Sequence, residues 1–292
     1  QMEKNAKKVV EGEKLDVIVG SIPLPDAEKE GVRANILEIL KKTYGIEEED
    51  FRSAELELVP AGSARDAGLD RSMILAYGQD DRVCAYTSLV AMLEVEAPAQ
   101  TTCCFLCDKE EIGSVGATGA RSYFFENTVA EVLDRCGCTH PLALRRCLAN
   151  SRMLSSDVSP AFDPLYASAY EKKNAAYLGM GLCFNKFTGS GGKSGANDAN
   201  AEYIAELRRI LDAAGVFYHT CELGRVDLGG GGTIAYIMAL YGMQVIDSGV
   251  PILSMHAPWE LSSKADIFEA KKGYTAFLRG TSTQPKTKEN KK

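Results

Sequence analysis

Four short segments place carboxylates or an imidazole just past the ends of predicted strands. They are GQDD (Asp80, Asp81), KEE (Glu110, Glu111), SSD (Asp157) and SMH (His256). Ligand sites in open α/β sheets form beyond the carboxyl ends of the strands, so these side chains are expected to converge. Each segment alone is typical of a solvated loop, and it is their joint placement that indicates a site.

Carboxylates that converge repel one another strongly unless a cation lies between them. A ligand set of carboxylate oxygens and imidazole nitrogen suits zinc or a similar divalent ion. The pattern therefore predicts a metal centre. It leaves the identity of the metal open, because carboxylate-rich sites accept several metals.

The elements expected to position these side chains alternate between strands and helices along the chain. Predicted strands are Leu15–Val19, Glu55–Val59, Thr101–Leu106, Met153–Val158, Val216–Tyr218 and Val245–Asp247. Predicted helices lie within Asp26–Tyr44 and at Val83–Leu93, Ser122–Asp134, Ala199–Ala214, Thr233–Tyr241 and Lys264–Leu278. This alternation predicts an α/β sandwich with helices on both faces of the sheet. Residues before about Ser72 form a separate, smaller αβ piece in this prediction.

Composition narrows the class of protein. The chain has 292 residues and a net charge of −7, which argues against a general nucleic-acid binder. Its nine cysteines have no regular spacing and do not resemble a disulfide framework, which predicts a reducing, cytoplasmic compartment. No apolar run approaches the roughly 18 residues of a membrane span, so no membrane association is expected.

Two other segments offer alternative chemistry. Gly189–Ser194 resembles a phosphate-binding loop, but Phe187 occupies a position where that pattern requires glycine. A flexible loop is therefore favoured over a nucleotide site. Cys136, Cys138 and His140 offer three zinc donors, without a fourth ligand and without the usual spacing of a structural zinc site.

Four motifs, in this order, resemble those of the M18 family of dinuclear zinc aminopeptidases: GQDDRVCAYTSL, CDKEEIGSVGATGA, SSDVSPAFDP and SMHAPWE. The resemblance extends from about Ala6 to about Phe277, and the motifs are specific as a set. It implies a three-layer αβα catalytic domain of the zinc-exopeptidase type at residues 72–280. It also implies part of a mostly β dimerisation domain at residues 1–71, and a flexible tail at 281–292.

The resemblance implies a role for each matched ionisable residue. Asp80 would bridge two zinc ions, Glu111 would bind one of them and Asp157 the other. His256 would be the terminal histidine ligand. Glu110 would be the general base of the reaction.

The same resemblance implies a metalloaminopeptidase that removes the N-terminal residue of peptides, with two zinc ions per active site or cobalt or manganese in their place. Family members form assemblies from dimers to dodecamers, so a homo-oligomer is expected. The glycine run before Thr233 exposes backbone N–H groups and allows close approach of a ligand. Gly231, Gly232 and Thr233 are accordingly expected to line the substrate site.

Two departures from the family pattern affect the metal centre. Asp81 stands where relatives often carry Asn and is not expected to be a ligand. The family also uses a histidine upstream of every motif here, so the chain is expected to be N-terminally truncated. The site of Asp80, Glu111 and His256 would be complete, whereas the site with Asp157 would lack its histidine. The alternative reading is a catalytically inert metal-binding or assembly fragment.

Overall fold

The structure, a computed structural model, describes residues 12–280. The chain divides into two compact units, whose described parts are residues 12–61 and residues 62–280. The tail at 281–292, predicted to be flexible, lies outside the described residues.

Helix α1 (Gly31–Tyr44) is the main element of residues 12–61. It ends at Gly45, which has a left-handed φ of 71° and donates its N–H to the Lys41 carbonyl at 3.0 Å. Glycine reaches this conformation without the strain that a side chain would add, so it is a frequent helix terminator. The prediction of a helix within Asp26–Tyr44 is confirmed.

The two strands predicted for this unit are wrong. Neither Leu15–Val19 nor Glu55–Val59 has regular secondary structure, and the side chain of Ile18 is 92% exposed. Alternating or β-branched residues fit a pleated surface, but they form a strand only where another strand pairs with them. Residues 12–61 contain no such partner, so the mostly β character expected for this part of the chain is not seen in them.

Residues 62–280 contain nine strands and six α-helices. In chain order they are β1 (Arg65–Ala67), β2 (Met73–Ala76), α2 (Gln79–Leu93), α3 (Phe124–Arg135), α4 (Ala143–Ala149), β3 (Arg152–Ser156), β4 (Ser159–Pro160), β5 (Leu182–Asn185), α5 (Ala201–Ala213), β6 (Tyr218–Cys221), α6 (Ala235–Ala239), β7 (Gln244–Gly249), β8 (Pro251–Leu253), β9 (Glu260–Ser263) and α7 (Lys264–Arg279).

The strands form two mixed sheets. One has five strands in the order β1-β2-β9-β8-β4, antiparallel except for the parallel pair β4–β8. The other has four strands in the order β3-β7-β5-β6, with β3–β7 and β5–β6 parallel and β5–β7 antiparallel.

Helices cover both faces of the four-stranded sheet. Adjacent residues of a strand point to opposite faces, and Val245 and Ile246 of β7 show this directly. Ile246 packs in an apolar cluster with side chains of α2, α5 and α7, whereas Val245 packs in a second cluster with those of α3, α4 and α6. The predicted α/β architecture with helices on both faces is confirmed for this unit.

The continuous buried strand predicted at Thr101–Leu106 is wrong. This segment has no strand partner among residues 12–280, and the side chain of Leu106 is 53% exposed. The first ladder-like contact comes after it, where the Asp108 N–H donates to the Thr118 carbonyl at 3.2 Å. High β-propensity did not produce a strand here, because nothing in the described chain hydrogen-bonds to its backbone.

Candidate metal centre

Asp80, Glu111 and His256 bring their ligand atoms together. His256 Nε2 lies 2.9 Å from Asp80 Oδ2 and 3.2 Å from Glu111 Oε1. One ligand atom from each residue lies within 4.8 Å of the others, which is the spacing of a group that can share one cation. The Asp80 side chain is only 9% exposed, whereas those of His256 and Glu111 lie at the surface.

Asp80 also belongs to a second group of ligand atoms. Its partners there are Asp81 and Asp157, again with ligand atoms within 4.8 Å of one another. Asp81 was not expected among the ligands, yet its carboxylate lies in this group. Its Oδ1 is buried and accepts no hydrogen bond from residues 12–280. A buried carboxylate oxygen without a donor is a feature that a nearby cation would satisfy.

The start of α2 positions the two aspartates. Gly78, with a left-handed φ of 64°, precedes the helix, and Asp80 and Asp81 have non-helical backbone angles within its first turn. The peptide bond between Asp80 and Asp81 is cis. Because the helix is not yet regular at this point, both side chains turn into the cluster rather than following the helix surface.

The remaining ligand candidates lie in short connections. Asp157 directly follows β3, and its N–H donates to the Ser248 carbonyl of β7 at 3.2 Å, which extends the pairing of these strands. Glu110 and Glu111 open a single 3₁₀ turn that ends at Ile112. His256, with a φ of 64°, lies in the connection between β8 and β9.

Burial and mutual repulsion raise the pKa values of the clustered carboxyl groups. Burial, and then the neighbouring Glu111, raises the pKa of Asp80 to about 7. Burial likewise raises the pKa of Asp157 and that of Asp81 well above the usual range. The charge of Asp80 adds to the effect on both, and the charge of Asp81 adds to the effect on Asp157. A divalent cation would favour the ionised forms, and the oxygen and imidazole donors present fit zinc.

Glu110 lies beside these two groups without belonging to either. Its side chain is partly buried, and burial followed by the charge of Glu111 raises its pKa. Its own charge in turn contributes to the raised pKa of Asp157, after burial and the charges of Asp81 and Asp80. A carboxyl group of this kind, next to a metal centre, is suited to proton transfer.

The predicted substrate residues make hydrogen bonds to other parts of the protein. Gly231 accepts the Gly189 N–H through its carbonyl at 3.0 Å. The Thr233 hydroxyl donates to Asp247 Oδ1 and accepts the Ala235 N–H, so it is engaged by the protein itself. No hydrogen bond within residues 12–280 joins Gly231, Gly232 or Thr233 to the clustered carboxylates, and their substrate role stays a prediction.

The alternative sites do not assemble. Cys136, Cys138 and His140 are exposed, and in the described part of the chain they belong to no group of metal-binding side chains. The loop Gly189–Ser194 is closed on itself, with the Ser190 N–H donating to the Ser194 carbonyl at 2.9 Å.

Comparison with known families agrees with the geometry of the centre. The sequence profile of a family described as aminopeptidase I zinc metalloprotease (M18) matches residues 1–278. The chain belongs to the M18 family. The resemblance that the four motifs carry is therefore confirmed.

Individual M18 proteins show the same relationship. The chain is 64% identical over 279 residues to a probable M18 family aminopeptidase 1 of Clostridium acetobutylicum, covering 95% of this chain and 60% of that protein. A crystal structure of aminopeptidase I from the same organism matches with a TM-score of 0.85 over 94% of this chain and 60% of that chain, again at 64% identity. A crystal structure of an M18 family aminopeptidase from Thermotoga maritima is 45% identical, with a TM-score of 0.89. It covers 94% of this chain and 61% of that chain. The chain thus spans about three fifths of the length of these relatives.

Proposed function

We propose that the protein is a dinuclear zinc aminopeptidase, which hydrolyses the peptide bond after the N-terminal residue of a peptide. The observation that carries this proposal is the shared carboxylate. Asp80 offers ligand atoms both to the group with Glu111 and His256 and to the group with Asp81 and Asp157. A carboxylate common to two ligand groups is what a closely spaced pair of metal ions requires. The names of the C. acetobutylicum and T. maritima relatives, both aminopeptidases, support the same reaction.

Asp80, Glu111, Asp157 and His256 are the residues that would hold the metal, through carboxylate oxygens and imidazole Nε2. Zinc, which the family description names, would supply Lewis acidity that polarises a peptide carbonyl and makes a water molecule more acidic. Oxygen-rich ligand sets of this type also accept cobalt or manganese. We therefore include both metals in the proposal as substitutes for zinc.

Glu110 is the proton carrier in this proposal. A carboxylate oxygen of Glu110 takes a proton from the attacking water and later delivers it to the nitrogen of the leaving amine. The raised pKa of Glu110 supports this role, because a group that both takes and gives a proton works best with a pKa near the working pH. The backbone of Gly231 and Gly232 is proposed to line the substrate site.

Assembly and location form part of the same proposal. Exposed apolar side chains in residues 12–61, among them Ile18 and Leu56, support association into a homo-oligomer. All nine cysteines lie in the described part of the chain and are free, which supports a reducing, cytoplasmic compartment. Among residues 12–280, no helix has the length and apolar character needed to cross a membrane.

Replacement of the proposed base tests the reaction. The full-length protein would be assayed on aminoacyl-nitroanilides with zinc, cobalt or manganese. Glu110→Gln is expected to lower kcat by roughly 10²–10⁴-fold, because the amide cannot take up the proton. The bound metal should be unchanged, since Glu110 belongs to neither ligand group.

Glu131→Gln, at an exposed position of α3, is the matched control and should retain activity. A Glu110→Gln protein with full activity would remove Glu110 from the mechanism. A metal-loaded wild-type protein without any hydrolysis would overturn the proposed function as a whole.

A further inference from the structure

Glu260, the first residue of β9, is a buried carboxylate that none of the proposed catalytic roles uses. Its side chain is 2% exposed. Oε2 accepts the backbone N–H of Asp80 at 2.9 Å, and Oε1 accepts the backbone N–H of His256 at 2.8 Å. One carboxylate thus holds the main chain of two ligand candidates at once.

These two candidates come from distant parts of the chain. Asp80 lies 180 residues before Glu260, in the irregular first turn of α2, whereas His256 lies in the connection between β8 and β9. Neither ligand itself has regular backbone geometry, and the β2–β9 ladder that joins the two segments ends at the pair Ala76–Glu260, four residues from each ligand. The Glu260 carboxylate is the direct connection between their backbones.

Glu260 is itself held in place by its neighbours. Its backbone pairs with Ala76 in the β2–β9 ladder. Gln79 Nε2 donates to the Glu260 carbonyl at 2.6 Å and to the Ile74 carbonyl at 3.1 Å, and the Ser262 hydroxyl donates to Gln79 Oε1. This buried network fixes the backbone from which the Glu260 side chain extends, and so the place where its carboxylate accepts the two N–H groups.

We propose that Glu260 is a positioning residue of the metal centre, which sets the distance between Asp80 and His256 through their backbone N–H groups. This inference rests on the proposed metal centre. Only a carboxylate of this length can serve both donors, because glutamine offers a single acceptor oxygen and aspartate is one methylene shorter. Groups that orient metal ligands affect metal affinity without touching the metal.

Zinc affinity measured by competition with a chromogenic chelator tests the proposal. Glu260→Gln keeps the shape of the side chain but loses one acceptor, and it is expected to weaken zinc binding by roughly 10–100-fold. Glu260→Asp keeps the charge but shortens the side chain, and it should also weaken binding. The thermal unfolding midpoint in EDTA reports separately on the stability of the metal-free protein.

Glu269 provides a matched control. It is another buried carboxylate that accepts a backbone N–H, from Phe217 at 2.8 Å, but within residues 12–280 none of its hydrogen bonds is to a ligand candidate. Glu269→Gln should lower the midpoint in EDTA and leave zinc affinity unchanged. If Glu260 had a purely structural role, Glu260→Gln would behave like Glu269→Gln, with a lower midpoint in EDTA and unchanged zinc affinity.

The outcomes separate this inference from the proposed function. Wild-type zinc affinity in Glu260→Gln would overturn the positioning role even if the protein is an active peptidase. Weakened zinc binding in Glu260→Gln, in a protein that hydrolyses no peptide, would support positioning and defeat the proposed reaction. A wild-type protein that binds no zinc would overturn both.

Discussion

His219 connects β6 to the loop before β5 through both of its ring nitrogens. Nε2 accepts the Tyr177 N–H at 3.2 Å, and Nδ1 donates to the Met180 carbonyl at 3.2 Å. An imidazole that accepts at one nitrogen and donates at the other is neutral. Burial lowers the pKa of His219, and the hydrogen bond to Met180 offsets this only in part.

This arrangement predicts that His219 itself makes an unfavourable contribution to the stability of the folded protein in mild acid. In the unfolded chain the pKa of histidine is about 6.5, above that of folded His219, so the unfolded state binds more protons as the pH falls below this value. His219→Gln keeps an acceptor for the Tyr177 N–H and does not titrate. The variant lacks this unfavourable contribution, so its free energy of unfolding relative to that of the wild type, measured with urea, should be greater at about pH 5.5 than at about pH 7.5. The same change of stability with pH in the wild type and in His219→Gln would contradict the argument.

Some residues of the candidate centre can be found from local sequence motifs, and others only from contacts between distant parts of the chain. Asp80, Glu111 and His256 stand in motifs, and the order of those motifs was enough to expect that they converge, although the strand expected before Glu111 does not form. No sequence pattern indicated that the Asp81 carboxylate lies beside those of Asp80 and Asp157, or that Glu260 accepts the backbone N–H groups of Asp80 and His256. The contributions of Asp81 and Glu260 depend on the irregular turn at the start of α2 and on hydrogen bonds across 180 residues of sequence. Neither feature leaves a local pattern, although Glu260 does stand in the SMHAPWE motif.

At the scale of elements, the predictions succeeded where a segment supplies its own hydrogen bonds. The helix predicted at Ala199–Ala214 forms as α5, because its apolar stripe buries Leu207 and Leu211 while its backbone pairs within the helix. The strand predicted at Thr101–Leu106 has an equally apolar sequence and does not form. A strand depends on partners elsewhere in the chain, which no local pattern specifies.

Helix α7 stabilises the neighbouring loop through Asp266 in its first turn. The two carboxylate oxygens accept the N–H groups of Gly179 and Gly181, each at 2.7 Å. Asp266→Asn leaves one of these N–H groups without an acceptor in a buried setting, and it should lower the free energy of unfolding by about 1–3 kcal/mol. Urea unfolding with an unchanged m-value measures this effect.

The same substitution at exposed Asp212 in α5, whose carboxylate accepts the Tyr218 hydroxyl, is the control for Asp266→Asn. It should change the free energy of unfolding by no more than about 0.5 kcal/mol. If Asp266→Asn were as mild as Asp212→Asn, the loop at Gly179–Gly181 would not depend on the helix.

At the scale of the whole molecule, the carboxylate cluster concentrates negative charge in a chain of net charge −7. Burial raises the pKa of Asp80 to about 7 in the metal-free protein, whereas an aspartate in an unfolded chain titrates near 4. The folded state therefore holds extra protons between these values. Their contribution to stability is fully present below about pH 4 and is lost as the pH rises through 7.

Zinc and protons therefore compete for the same carboxylate groups of the folded protein. Zinc needs ionised carboxylates, so we expect it to raise the unfolding midpoint more at about pH 8 than at about pH 6. Free zinc at 100 times its Kd would add about 2.7 kcal/mol to the stability, and the same concentration would add less where protons occupy Asp80. Thermal unfolding with buffered zinc and with chelator, at both pH values, measures the two shifts. Asp80→Asn should reduce the zinc-induced rise of the unfolding midpoint at both pH values. If zinc raised the unfolding midpoint of the wild type equally at both pH values, protons would not be competing with zinc for these carboxylates.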